Sequence, residues 1–227
     1  YMYADQFDAN GQMVSPGVLP GAEAAGDWEF WMLKNSLLGS ESLIGGMAGT
    51  LSLLMRHETG FDINKFDPNN DRAQLAPAMA VTDVQTADLT DFAKNGGKLI
   101  MYQGWNDYPL RPQRAIDYLK KAEEQHGGTI KTGEFFRLFM VPGMVHCVAG
   151  PGAWVADYVE PLVKWRESGE APDRIEAKTG MKRFSLDLSE QTDASENDFT
   201  RPLCAYPALS QYDGKGDPSQ SENFTCR

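Results

Sequence analysis

Two unbroken apolar runs lie in the second half of the chain, within KLIMYQG (98–104) and EFFRLFMVPG (134–143), and each is followed by residues with a helical period. Runs of this length bounded by Gly and Pro predict strands buried on both faces. Between them, QRAIDYLKKAEEQHGG puts Ala115, Ile116, Leu119 and Ala122 on one helical face and stops at Gly127. After the second strand, AWVADYVEPLVKWRESG places Val155, Tyr158, Val159 and Leu162 at helical spacing, which predicts one helix kinked at Pro161 and ended by Gly169. Strand, helix, strand, helix is the order of a parallel sheet covered by helices. Two parallel strands do not make an independent sheet, so the pair reads as the last strands of a larger one. Before residue 95 there is no βαβ pattern, only turn-rich stretches around aromatic clusters such as DWEFW. Residues 1–94 therefore read as a lid or insertion, with a short helix in AGTLSLLMRHE carrying Leu51, Leu54 and Met55 on one face. Residues 95–180 read as the core, and residues 181–227 as a closing extension.

In open parallel sheets, ligands sit beyond the carboxyl ends of the strands. Asp107 follows the first strand, in WNDYP, and His146 follows the second, in PGMVHC. An acid and a histidine on neighbouring loops of one sheet edge are placed to meet, the carboxylate taking the Nδ1 proton and leaving Nε2 as a general base. Hydrolases on such a sheet run Ser, then Asp or Glu, then His along the chain. The last two are here in that order. The nucleophile is not, because no serine has glycine both two positions before and two positions after it; Ser15, in MVSPG, comes nearest. His126, at a charged helix end, reads as solvated, and His57 precedes ETGFD in the irregular half. Asp117 and Asp157 fall inside predicted helices and read as surface or junction residues.

Charge narrows the partners. With 32 acidic against 21 basic residues the net charge is −11, and the acids are scattered. Nucleic acid and anionic membrane both demand a basic face, so neither is expected. No run of about 18 apolar residues is present to span a bilayer, and the first residues show no basic-then-apolar leader pattern.

Three cysteines carry more information. Cys204 and Cys226 bracket a stretch rich in Ser, Pro, Gly and Asp. Either they are two free thiols in a loose terminus, or they form a disulfide worth roughly 3 kcal/mol in loop-closure entropy. The second is favoured, and it points to an oxidising compartment, secreted or periplasmic. Cys147 is then odd: a reactive thiol, or one paired with sulfur elsewhere. A zinc site is disfavoured, since His146 and Cys147 are adjacent and no second ligand stands at zinc spacing. DPNND (67–71) begins like a calcium loop, but Arg72 replaces the glycine and Ala78 the bidentate Glu, so it reads as a turn.

GGKLIMYQGWNDYPLRP, then VPGMVHC, VKWRESGEAPDRIEA and RPLCAYP with a closing cysteine, resemble the carboxyl-terminal half of the tannase and feruloyl esterase family. The resemblance covers about residues 90–227, and more loosely FDANGQMVSPGVLPGAE in the first ninety. It implies an α/β fold: the C-terminal part of an α/β-hydrolase parallel sheet with a largely irregular and helical lid region. It also implies a serine esterase of aromatic or phenolic acid esters. On it, Asp107 matches the triad acid and His146 the base. Cys147 matches a cysteine that forms a disulfide with the residue before the nucleophilic serine, and Cys204 and Cys226 match a terminal disulfide. The family's Cys-Ser elbow and its lid calcium loop both precede Tyr1 in this register. The expected partner is thus an N-terminal portion of the same enzyme that carries the serine, with any structural calcium there and no cofactor needed for the chemistry. Trp28, Trp31 and Arg56 read equally as core, surface or substrate contacts. The rival reading is a non-catalytic remnant that keeps the fold.

Overall fold

The computed structural model describes residues 3–33, 43, 47, 65, 67, 70–84, 86–183 and 198–227. The helix expected in AGTLSLLMRHE, together with Arg56 and His57, lies outside them. Near the start, β1 (Gln6–Phe7) and β2 (Met13–Ser15) pair antiparallel. Asp8 closes the turn between them by accepting the N–H groups of Asn10 and Gln12, both at 2.9 Å, the local bond that favours Asp in turns. A short helix, α1 (Asp27–Trp31), follows Gly26, whose φ of 84° needs glycine. Of the DPNND stretch, Asn70 and Asp71 form a turn, the Asp71 N–H donating to the Asp67 carbonyl at 2.8 Å, and lead into α2 (Arg72–Thr82).

A single turn, α3 (Thr90–Lys94), precedes β3 (Leu99–Gly104). Then come α4 (Gln113–His126), the short α5 (Thr129–Thr132) and β4 (Phe136–Val141). The two predicted strands pair in parallel, from Leu99 opposite Phe136 to Gly104 opposite Val141. β4 explains its own composition. Phe136, Leu138 and Met140 share a core cluster with Ile116, Leu119 and Ala122 of α4. Phe139 and Val141, on the opposite face, pack with Ala153, Ile175 and Leu203. From Leu138 to Val141 the strand is buried on both faces and has no position for a polar alternation, hence the unbroken run after Arg137. Burial of each large side chain contributes about 1.5–3 kcal/mol.

The predicted helix over 153–169 divides. Ala153–Ala156 is a strand, β5, and the helix α6 starts only at Val159 and ends at Ser168. Asp157 is therefore not within a helix; its Oδ1 accepts the N–H groups of Val159 and Glu160 at 2.8 and 3.1 Å and starts α6. Pro161 falls in the first turn, where no intrahelical N–H bond is lost, so it causes no kink. The apolar face expected from Val155 and Val159 does not form: Val159 is exposed, and the buried anchor is Trp165, flanked by Lys98 and Arg137.

β5 joins β6 (Arg174–Thr179) and β7 (Thr200–Cys204) in an antiparallel sheet. In β6, Ile175, Ala177 and Thr179 face inward and alternate with exposed Arg174, Glu176 and Lys178. Phe139 bridges to Ala205, and the Tyr206 N–H donates to the Leu138 carbonyl at 2.8 Å, so the closing segment is fastened to β4. β8 (Ser210–Tyr212) and β9 (Phe224–Cys226) form the last hairpin. The Cys204–Cys226 disulfide ties it to the end of β7, with Cα atoms 5.6 Å apart. Among the described residues no helix is long and apolar enough to cross a membrane.

Candidate active site

β3 and β4 end side by side, and their exit loops are drawn together by main-chain contacts. The Trp105 N–H donates to the Val141 carbonyl at 3.0 Å and the Asn106 N–H to the Met144 carbonyl at 3.1 Å. This approach requires Gly104: a Cβ there would run into the Met144 carbonyl oxygen and crowd that of Val145. The result brings Asp107 and His146 together, Nδ1 to Oδ2 at 3.0 Å.

Asp107 is buried and fully occupied. Its Oδ1 accepts the Leu110 N–H at 2.8 Å, and its Oδ2 also accepts from Gln103 Nε2 at 3.0 Å. A carboxylate held this way only accepts, so the histidine proton sits on Nδ1 and Nε2 has its lone pair to offer. The His146 side chain keeps 19% of its surface exposed while that of Asp107 keeps 4%. The imidazole is reachable and the carboxylate that orients it is not.

The first third of the chain supplies the wall of this site. Trp31 stands edge-on to the His146 ring, centroids 4.7 Å apart and planes at 90°. Trp28 packs on buried Tyr108, one residue past the acid, at 4.8 Å. Between these contacts lies Asp27, 1% exposed, a second carboxylate that sequence reasoning missed. Burial pushes its pKa up to about 6, the neighbouring Asp107 charge adds to that, and the main-chain amide and ring of His146 pull against it. Its Oδ2 has no hydrogen-bond partner among the described residues. Asn106 was missed as well. It is buried, receives the Gly143 N–H on Oδ1 at 3.1 Å, and donates Nδ2 to the carbonyls of Leu19 and Pro20 at 3.3 and 3.0 Å.

Cys147 is exposed and unpaired among the described residues, in left-handed backbone with φ 65°. Partial burial, with the charges of Asp107 and Asp27, raises its thiol pKa. That is the opposite of an activated thiolate nucleophile. Ser15 lies in β2 and gives its hydroxyl to the Pro16 carbonyl. His126 corrects its prediction: its side chain is 10% exposed, Nε2 accepts the Leu89 N–H at 2.9 Å, and the ring stands edge-on to Phe135. It is a structural acceptor, invisible in sequence because its partner is 37 positions away.

Comparisons with known proteins place the whole chain rather than its site. The family model for tannase and feruloyl esterase matches residues 11–227. The chain is 38% identical to mono(2-hydroxyethyl) terephthalate hydrolase of Piscinibacter sakaiensis over 62% of this chain and 21% of that one. It is 26% identical to a probable feruloyl esterase B-2 of Aspergillus fumigatus over 97% of this chain and 41% of that one. The chain thus spans less than half the length of these curated relatives. Among solved structures, an esterase from Aspergillus oryzae superposes with a TM-score of 0.77 at 23% identity, covering all of this chain and 44% of that one. Feruloyl esterase B from the same organism superposes with a TM-score of 0.74 at 22% identity, again over the whole chain and 44% of the other. At those identities the likeness establishes the fold alone, which the chain shares with part of each of these two proteins.

Proposed function

Since the chain belongs to the tannase and feruloyl esterase family, we propose that it is part of a serine carboxylic ester hydrolase acting on esters of aromatic or phenolic acids. The observation that carries this reading is the 3.0 Å contact between Asp107 and the Nδ1 of His146 at the carboxyl edge of the parallel pair. Names among the relatives, a terephthalate monoester hydrolase and feruloyl esterases, support an aromatic acyl group. Trp31 beside the base offers such a group an apolar wall.

In this reading the chain contributes the C-terminal part of the core sheet over 95–180, a lid segment in 1–94 and the disulfide-closed extension in 181–227. The nucleophilic serine comes from an N-terminal portion of the same enzyme, consistent with the lack of a glycine-flanked serine in these 227 residues. His146 Nε2 takes the serine proton as the hydroxyl attacks the ester carbonyl carbon. Asp107 stabilises the imidazolium, which then protonates the departing alcohol. Water, deprotonated by the same nitrogen, hydrolyses the acyl-enzyme and releases the aromatic acid. No step calls for a cofactor. Cys147 pairs with the cysteine preceding that serine and clamps base loop to nucleophile loop, so the enzyme works outside the cytoplasm.

A fluorophosphonate probe tests the reading. The intact native protein, with its N-terminal portion, takes up one label, and H146A abolishes uptake. If the intact protein takes up none, the esterase reading is lost and the chain is a non-catalytic member of the fold. Mass spectrometry without reduction tests the clamp, which a free Cys147 thiol in the intact protein would overturn.

A further inference from the structure

We propose that Asn106 is a positioning residue that couples the segment at Leu19–Pro20 to both loops carrying the acid and the base, an inference that rests on the esterase reading above. Three chain segments meet at one side chain. Residue 106 immediately precedes Asp107 in the acid loop. Its Oδ1 receives the N–H of Gly143, the left-handed turn residue (φ 75°) that opens the base loop. Its Nδ2 donates to the carbonyls of Leu19 and Pro20, more than eighty positions earlier. The amide orientation is forced, since a main-chain N–H can only donate and two carbonyls can only accept. The main-chain N–H of Asn106 adds a bond to Met144, so the base loop is held at two consecutive residues.

The two ends of the amide do different work. The Oδ1 end sets where the base loop begins, and with it the approach of His146 to Asp107. The Nδ2 end fixes the strand of chain that runs on into Ala22 and Ala25, which pack on Val145 and Ala149 of the base loop, and into α1, whose Trp31 touches His146. No apolar residue of similar size reproduces both ends, and no acid does, because a second carboxylate oxygen would face two carbonyls.

N106D keeps the acceptor toward Gly143 and loses the donors; N106A loses both. Steady-state kinetics on a soluble aromatic ester, with the intact enzyme, should separate them. N106D raises KM about tenfold with kcat within about threefold of wild type, whereas N106A also loses about a hundredfold in kcat, the scale of an ångström of misplacement. Amide hydrogen exchange gives a readout that needs no turnover: Gly143 stays protected in N106D and exchanges faster in N106A. Wild-type kinetics in N106A overturn the proposal, as does Gly143 protection that survives N106A. If N106A does not fold, N106D decides it, and an unchanged KM there is the overturning result. A wild-type enzyme that neither takes up the probe nor turns over the ester defeats the esterase reading, while the Gly143 exchange comparison still decides the coupling.

Discussion

The acid loop after β3 and the base loop after β4 leave one edge of the same parallel pair, yet they differ in how much each holds itself. The acid loop is held partly from within: Asp107 receives the Leu110 N–H, its own N–H reaches the Gly104 carbonyl, and its backbone needs no left-handed residue. The base loop turns at Gly143, Cys147, Ala149 and Gly150, all with positive φ, two of them without glycine's freedom. Such conformations persist only where the surroundings over-determine them. Here those surroundings are Asn106, the Ala22 and Ala25 packing, and the Trp31 edge. Both loops touch the first third of the chain, through Asn106 on Leu19 and Pro20 and through Trp31 on His146, but only the carboxylate is also held by bonds within its own loop.

The largest effects come from the pair itself. With the intact enzyme, H146A should lower kcat by about 10³–10⁴-fold, and D107N by a similar factor because an amide cannot hold the Nδ1–H tautomer. Both variants should melt within a few degrees of wild type. A loss of fold in D107N but not in H146A would sharpen the comparison, since the carboxylate also organises its own loop. Next is G104A. Its new methyl group meets main-chain carbonyls, which cannot rotate away, so we expect a loss of about 2–3 kcal/mol in denaturant titration together with reduced turnover from a displaced base loop.

Much of this frame was legible because its signals are local. Unbroken apolar runs marked β3 and β4, a 3.6-residue period marked the buried face of α4, and the strand-end rule selected Asp107 and His146. The division of 153–168 was not legible: Trp154 and Val155 suit a strand, Val159 and Leu162 suit a helix, and the choice is made by pairing with Lys178 and Ala177. β6 was missed because Ile175 is its only large apolar inward residue, beside Ala177 and Thr179, and its outward ones are charged. Asn106 and Asp27 carry no motif at all. Their meaning comes from contacts made by residues far away in sequence, which no window along the chain contains.

Asp27 gives a smaller, pH-dependent prediction. Its folded pKa, about 6, lies above the ordinary value of 3.8, so its contribution to stability is fully present below pH 4 and lost as pH rises through 6. D27N, which cannot ionise, should therefore gain about 2 kcal/mol over wild type at pH 7.5 and little at pH 4. Urea titrations at the two pH values check the sign. An equal effect at both would mean that the carboxyl group titrates alike in the folded and unfolded chain, so that burial does not raise its pKa.

The smallest effect isolates strain in the base loop. Ala149 and Ala122 are both fully buried, but Ala149 is left-handed and Ala122 sits inside α4. Glycine at 122 loses a buried methyl and helix propensity, about 2 kcal/mol together. Glycine at 149 loses a similar methyl against Ala22 and Ala25 but relieves about 1–2 kcal/mol of left-handed strain, so the change should fall within about 0.5 kcal/mol of zero. Paired denaturant titrations of A122G and A149G measure the difference. Equal destabilisation would mean that the base loop stores no strain at 149, and that its neighbours position the histidine without having to hold it against a restoring force.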